Sequence, residues 1–160
     1  MSELTIKPEV LSLLVCDQII TDRATGKQSL IGLFSTIHAF RYPVTQPLLS
    51  VHVSLTGGRG KTPIIIRIAD SDDARPPLVE GRGMVEFKNP RAIANLALQF
   101  HGLVFPQQGE YRVQLWAHGE LLREARLTLL LAKRPPRGQP PPGGPPESIP
   151  PPDAPDPSGE

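Results

Sequence analysis

Apolar residues recur at every second position in short runs along most of this chain, and turn-forming residues separate the runs. Leu49, Val51, Val53 and Leu55 alternate with Ser50, His52, Ser54 and Thr56, which predicts a strand with one apolar and one polar face. Ile64, Ile66 and Ile68 repeat the pattern, as do Leu96, Leu98 and Phe100, then Tyr111, Val113 and Leu115. The run VLSLLVCDQII, Val10 to Ile20, is apolar on both parities and predicts a strand inside a sheet. Ser29 to Ile37 predicts the next strand, after a turn at Ala24-Thr25-Gly26-Lys27. Leu78 to Phe87 reads as a weaker strand, because Gly81 and Gly83 withhold side chains and suggest a bulge. Gly102 to Gly109 reads as a loop. The last hairpin turns at His118-Gly119, where Gly119 supplies a positive φ. Its return strand, Leu121 to Leu131, changes parity after Leu122, which predicts a bulge near Arg123-Glu124. No segment of useful length has helical periodicity. About eight short strands predict an all-β chain, an immunoglobulin-like antiparallel sandwich of two sheets.

Composition divides the 160 residues in two, a sandwich domain over 1–133 and a tail over 134–160. The tail, RPPRGQPPPGGPPESIPPPDAPDPSGE, holds 12 of the 20 prolines and almost no apolar residue. Such a segment cannot bury enough surface to offset its ordering entropy, so we expect disorder with polyproline II character. Its spacings Pro142 to Pro145 and Pro152 to Pro155 suit an aromatic groove, although a spacer is the commoner use. The net charge is +1, with no block of lysine or arginine, which argues against a nucleic-acid footprint. No apolar run approaches the ~20 residues of a membrane span. A single cysteine excludes an internal disulfide, and MSELTIKPEV lacks the layout of a signal peptide. A cytoplasmic protein is the expectation.

Gly60-Lys61-Thr62 ends like a phosphate-binding loop, but the spacing requires a glycine where Leu55 stands. Pro63 and Ile64-Ile65-Ile66 then predict a strand where a nucleotide site needs a helix, so a hairpin connection is expected here. Cys16 lies in a strand beside Asp17, whose charge opposes a thiolate, and reads as a packed, inert thiol. Asp17 reads as an acceptor for backbone N–H groups of the following turn. His52, His101 and His118 fall on solvent-facing parities, but with His38 they form no ligand spacing, and no metal or cofactor is implied. Asp70-Ser71-Asp72-Asp73 reads as a polar turn, since the later ligands of a calcium loop are missing. Trp116 lies opposite the apolar row of its strand. An exposed indole beside Arg112 or Arg123 is a candidate anchor for a partner, unless a second layer covers it.

Two stretches, LLVCDQIITDRATGKQSLIGLF and GLVFPQQGEYRVQLWAHGELL, resemble an uncharacterised bacterial family of small β-sandwich proteins, domain of unknown function 6941. The first carries Cys16-Asp17, then Gly26-Lys27, then Gly32; the second carries Gly109 and Tyr111, then Gly119. The resemblance implies a fold, lends no catalytic residue, and gives structural parts to Cys16, Asp17, Gly26, Gly32, Gly109, Tyr111 and Gly119. The expectation is a non-enzymatic protein-binding or structural module. It would recognise an unknown protein through a sheet face or an edge strand, with self-association through an edge as a subsidiary expectation. The alternative is a small-ligand protein or enzyme whose site is built at one end of the sandwich from loops such as Gly57 to Thr62 and Asp70 to Pro77.

Overall fold

The computed structural model describes residues 6–72 and 75–133, and the proline-rich tail lies outside them. Nine strands follow one another: β1 (Glu9–Thr21), β2 (Gln28–Leu33), β3 (Thr36–Ala39), β4 (Val44–Thr56), β5 (Gly60–Asp70), β6 (Val79–Phe87), β7 (Ala94–Phe105), β8 (Gly109–Ala117) and β9 (Glu120–Leu131). They form a four-stranded sheet in the order β2-β1-β4-β7 and a five-stranded sheet in the order β3-β9-β8-β5-β6. No helix among the described residues is long and apolar enough to cross a membrane.

The alternating rows meet between the sheets. Leu49, Val51, Val53 and Leu55 of the first sheet face Ile64, Ile66, Ile68, Val113 and Leu115 of the second in one continuous core. Burying each such aliphatic side chain contributes about 1.5–3 kcal/mol, and this burial outweighs the weak local preferences of the strands. Tyr111 sits at the start of β8 with its ring edge-on to Phe105, the centroids 5.0 Å apart. Its hydroxyl donates to the Gln107 carbonyl at 2.7 Å, four residues back. A tyrosine tied back in this way at the corner before such a strand is characteristic of immunoglobulin-like sandwiches. The parallel pairing of β3 with β9 and the hairpin β8–β9 complete that topology.

Several expectations need correction. Ser29 to Ile37 is two strands, because the chain leaves the first sheet after Leu33 and joins the second at Thr36. The count among the described residues is therefore nine, and the β3–β9 pair is parallel while the other described pairs are antiparallel. Gly57 to Thr62 is no hairpin: β4 and β5 belong to different sheets, and the connection crosses between them. β7 runs through Gly102 to Phe105, so the expected loop begins only after Phe105. Gly81 and Gly83 make no bulge, since β5 and β6 stay in register from Gly60–Phe87 to Ile68–Val79. A Cβ at Gly81 would meet the Phe100 ring at 2.9 Å, and one at Gly83 would meet Leu96 at 2.8 Å. The bare backbone lets the edges of the two sheets close on each other.

Other readings hold. β1 lies between β2 and β4. The bulge in β9 falls at Leu122, one residue before the expected pair, where Leu115 faces Arg123 and Trp116 faces Leu121. His118 and Gly119 both have positive φ, 52° and 77°, as the primed two-residue turn of a hairpin demands.

Candidate functional site

The outer face of the five-stranded sheet is lined by the residues that alternate with the buried rows. From β9 to β6 one row reads Leu121, Trp116, Ile65, Arg82, and the next reads Glu124, Gln114, Arg67, Glu80. Trp116 is held from two sides. Its indole N–H donates to Gln114 Oε1 at 3.2 Å, and the Arg67 guanidinium stands 4.9 Å from the ring centroid. Arg67 Nε in turn donates to Glu80 at 2.7 Å, and Arg82 reaches the same carboxylate at 3.0 Å. These two guanidinium groups hold the Glu80 carboxyl below the usual range for glutamate, Arg67 contributing most. On the other side Gln114 donates to Glu124, which also accepts from Arg112 at 3.1 Å, and Arg126 reaches Glu110 at 3.2 Å. A polar lattice thus runs across the sheet with the indole as its one aromatic member.

Each exposed pair in such a lattice contributes little stability, about 0–1 kcal/mol. The lattice instead fixes the positions of its own side chains. Around the half-buried indole lie Ile65, Pro63, Leu121 (38% exposed) and Met84 (56% exposed). The result is an apolar patch with a charged margin at the end of the sheet nearest the His118-Gly119 turn.

Of the expected site residues, the structure brings Trp116 to this surface and keeps Arg112 in the same lattice, two rows away and bound to Glu124. Arg123 lies opposite Leu115 beside the β9 bulge and is not a cross-strand neighbour of Trp116. The cation on the indole is Arg67, which sequence reasoning passed over. Its outward parity was readable from the Ile64, Ile66, Ile68 row, but the pairing of β5 with β8 was not.

Cys16 is fully buried, and burial first, then Asp17, pushes its thiol pKa up, away from nucleophilic use. Asp17 does not hold the following turn; Asp22 does, accepting from the amides of Ala24 and Thr25 at 2.7 and 3.0 Å. Those amides, Thr25 first, hold the Asp22 carboxyl below its usual range. Gly26 has φ +70° in that turn. Asp17 packs instead against Gly32, which also has φ +70° and whose missing Cβ leaves room for the carboxylate.

At this Asp17–Gly32 point the β1–β2 hairpin bends. In a flat sheet Gln28, paired with Thr21, would lie about 20 Å along the strands from His52, which faces Leu14. Instead His52 Nε2 is 2.9 Å from Gln28 Oε1, so the hairpin folds back over the outer face of the four-stranded sheet. Ser50 Oγ donates to the Asp17 carbonyl at 3.2 Å under the same cover. His52 is therefore buried, contrary to its expected exposure, and burial lowers its pKa. Its Nδ1 has no partner among the described residues. His101 and His118 are exposed as expected.

Lys61 and Thr62 are strand residues, and Thr62 is buried, so no phosphate cradle exists there. Asp70 accepts from the Asp72 amide at 2.9 Å and pairs with Arg75 at 3.0 Å, as in a polar turn, while Asp73 lies outside the described residues. The loops Gly57 to Thr62 and Asp70 to Pro77 flank opposite ends of β5, about 30 Å apart, and build no common site.

The model of a family of unknown function, DUF6941, matches residues 11–130. The chain belongs to this family. The match takes in the whole lattice around Trp116, together with Cys16, Asp17, Gly26, Gly32, Gly109, Tyr111 and Gly119. No curated protein matches the chain. Among solved structures, an immunoglobulin-like protein from Pseudomonas aeruginosa is 13% identical, with a TM-score of 0.42, over 79% of this chain and 99% of that one.

Proposed function

We propose that this DUF6941 domain is a non-enzymatic recognition module that takes a partner protein on the outer face of its five-stranded sheet, with Trp116 as anchor. The observation that carries this reading is the indole clamped between Gln114 and Arg67 inside an apolar patch with a charged margin. Tryptophan and arginine dominate binding energy where they sit rigidly at the centre of a contact. A ring fixed in advance loses little conformational freedom on binding. We place the module in the cytoplasm, which its single free cysteine supports.

Capture with immobilised full chain tests the reading. A partner retained by wild type should be lost with Trp116→Ala and weakened with Arg67→Ala, while the circular-dichroism spectrum stays unchanged. A partner retained equally by all three proteins would refute the assignment. So would a thermal-shift screen in which a nucleotide or metabolite stabilises the protein strongly while no protein is retained.

A further inference from the structure

On the outer face of the five-stranded sheet, Arg67, Arg82, Arg112 and Arg126 each reach a carboxylate. The end of the sandwich near the His118-Gly119 turn differs. Arg59, Lys61, Lys88 and Arg91 are all exposed there, and none of their side chains forms an ion pair or hydrogen bond among the described residues.

The backbone gathers these cations. β5 and β6 pair inward from Gly60–Phe87 and Lys61–Glu86, so Arg59 and Lys88 stand next outward on the two chains. The Gly57 amide donates to the Pro90 carbonyl at 3.0 Å, and Thr56 Oγ1 donates to the Ala92 carbonyl at 3.0 Å. These bonds hold Arg91 beside the same connection. Two carboxylates share the end, Glu86 across from Lys61 and Glu9 across from Thr56. Glu120 is already paired with Lys7 at 3.1 Å. The four cations thus outnumber the carboxylates, and like charges on neighbouring strands repel. An anionic segment relieves that repulsion.

We propose that the acidic segment 147–160 of the tail docks on this cationic end of its own sandwich. Glu147, Asp153, Asp156 and Glu160 lie in it, and no lysine or arginine does. The reach fits. β9 starts at Glu120, beside Lys7, and ends at Leu131, so the tail departs from the opposite end of the sandwich. The 12 residues of β9 cover about 40 Å. The proline-rich stretch 134–146 covers about the same length at ~3.1 Å per residue. A chain of this composition is stiff over several residues, which holds its acids away from Lys133 and from its own Arg134 and Arg137. Attraction between exposed charges needs no buried apolar surface, which the tail could not supply. The tether keeps the segment at a concentration on the order of millimolar, so a weak attraction suffices. A second copy must compete with that tether and is the poorer source.

The test compares amide NMR spectra of the full chain with those of a full chain carrying Glu147→Gln, Asp153→Asn, Asp156→Asn and Glu160→Gln. Differences should be confined to residues 57–61 and 86–93 and should not depend on protein concentration. They should shrink roughly twofold or more as salt rises from about 0.1 to about 1 M, which cuts the screening length from about 10 to about 3 Å. Placing Arg59→Glu and Lys88→Glu in both chains should abolish them. Differences placed elsewhere overturn the proposal, as do differences that grow with protein concentration, because the segment then comes from a second copy. Identical spectra also overturn it, and movement of the same amides by phosphatidylserine vesicles would then assign this end to an anionic membrane.

Discussion

Gly32 is under two constraints at one residue: its φ of +70° and the Asp17 carboxylate in the space of its absent side chain. An L-residue in that conformation costs about 1–2 kcal/mol. Gly32→Ala should therefore destabilise the fold by at least that much, read from its urea denaturation curve. Asp17→Ala in the same background should recover only the contact part, which a double-mutant cycle measures. His52 sets a pH dependence. Its folded pKa lies below the ordinary 6.5, so the unfolded chain takes up the proton first as pH falls. Stability should be flat above about pH 7 and decline as pH drops through 6.5 toward the folded value. Melting temperatures measured from pH 8 to pH 5 should show this, and His52→Gln should flatten the decline. A wild-type curve with no slope below pH 6.5 would exclude a buried neutral imidazole. The burial of Cys16 was readable in the sequence, since its run is apolar on both parities. His52 was not, because alternation assigns a face of the strand and cannot tell that a hairpin folds over that face.

Strand rows were legible wherever one face is apolar and the other polar: β4, β5, β8 and the first part of β7 follow their alternation directly. The β2–β3 switch was hidden because Phe34 and Ser35 carry no turn signal, and only the register of partners separates the two strands. Pro47 lies inside β4, ahead of the pairing with β1 that reaches Ser50, and the register with β7 passes from Gln46–Leu103 to Leu48–His101 without it. The glycines of β6 were read as weakness when they are clearance for Phe100 and Leu96 of the facing sheet. Gly83→Val should therefore destabilise the fold by about 1–3 kcal/mol, the usual cost of overpacking, despite valine's preference for strands. An unchanged urea midpoint for Gly83→Val would show that the two edges do not close as described.

One core joins both sheets, so the sandwich should unfold as a unit. Trp116, the sole tryptophan, reports on the five-stranded sheet, while far-ultraviolet circular dichroism reports on both. Their urea transitions should coincide, and two separated midpoints would mean that the sheets come apart independently. The fold class was readable from periodicity, and the Trp116 surface only in part, since Arg67 and Trp116 meet through a pairing of strands 49 residues apart in the chain. Recognition through that surface is the claim on which the functional account stands. Its most direct test places a photoreactive benzoylphenylalanine at Met84, beside the indole patch, and in a second protein at Leu14, on the outer face of the other sheet. The account predicts a crosslinked partner from Met84 that disappears when Trp116→Ala is added, and none from Leu14. A partner captured from Leu14 alone, or from Met84 regardless of Trp116, would contradict it.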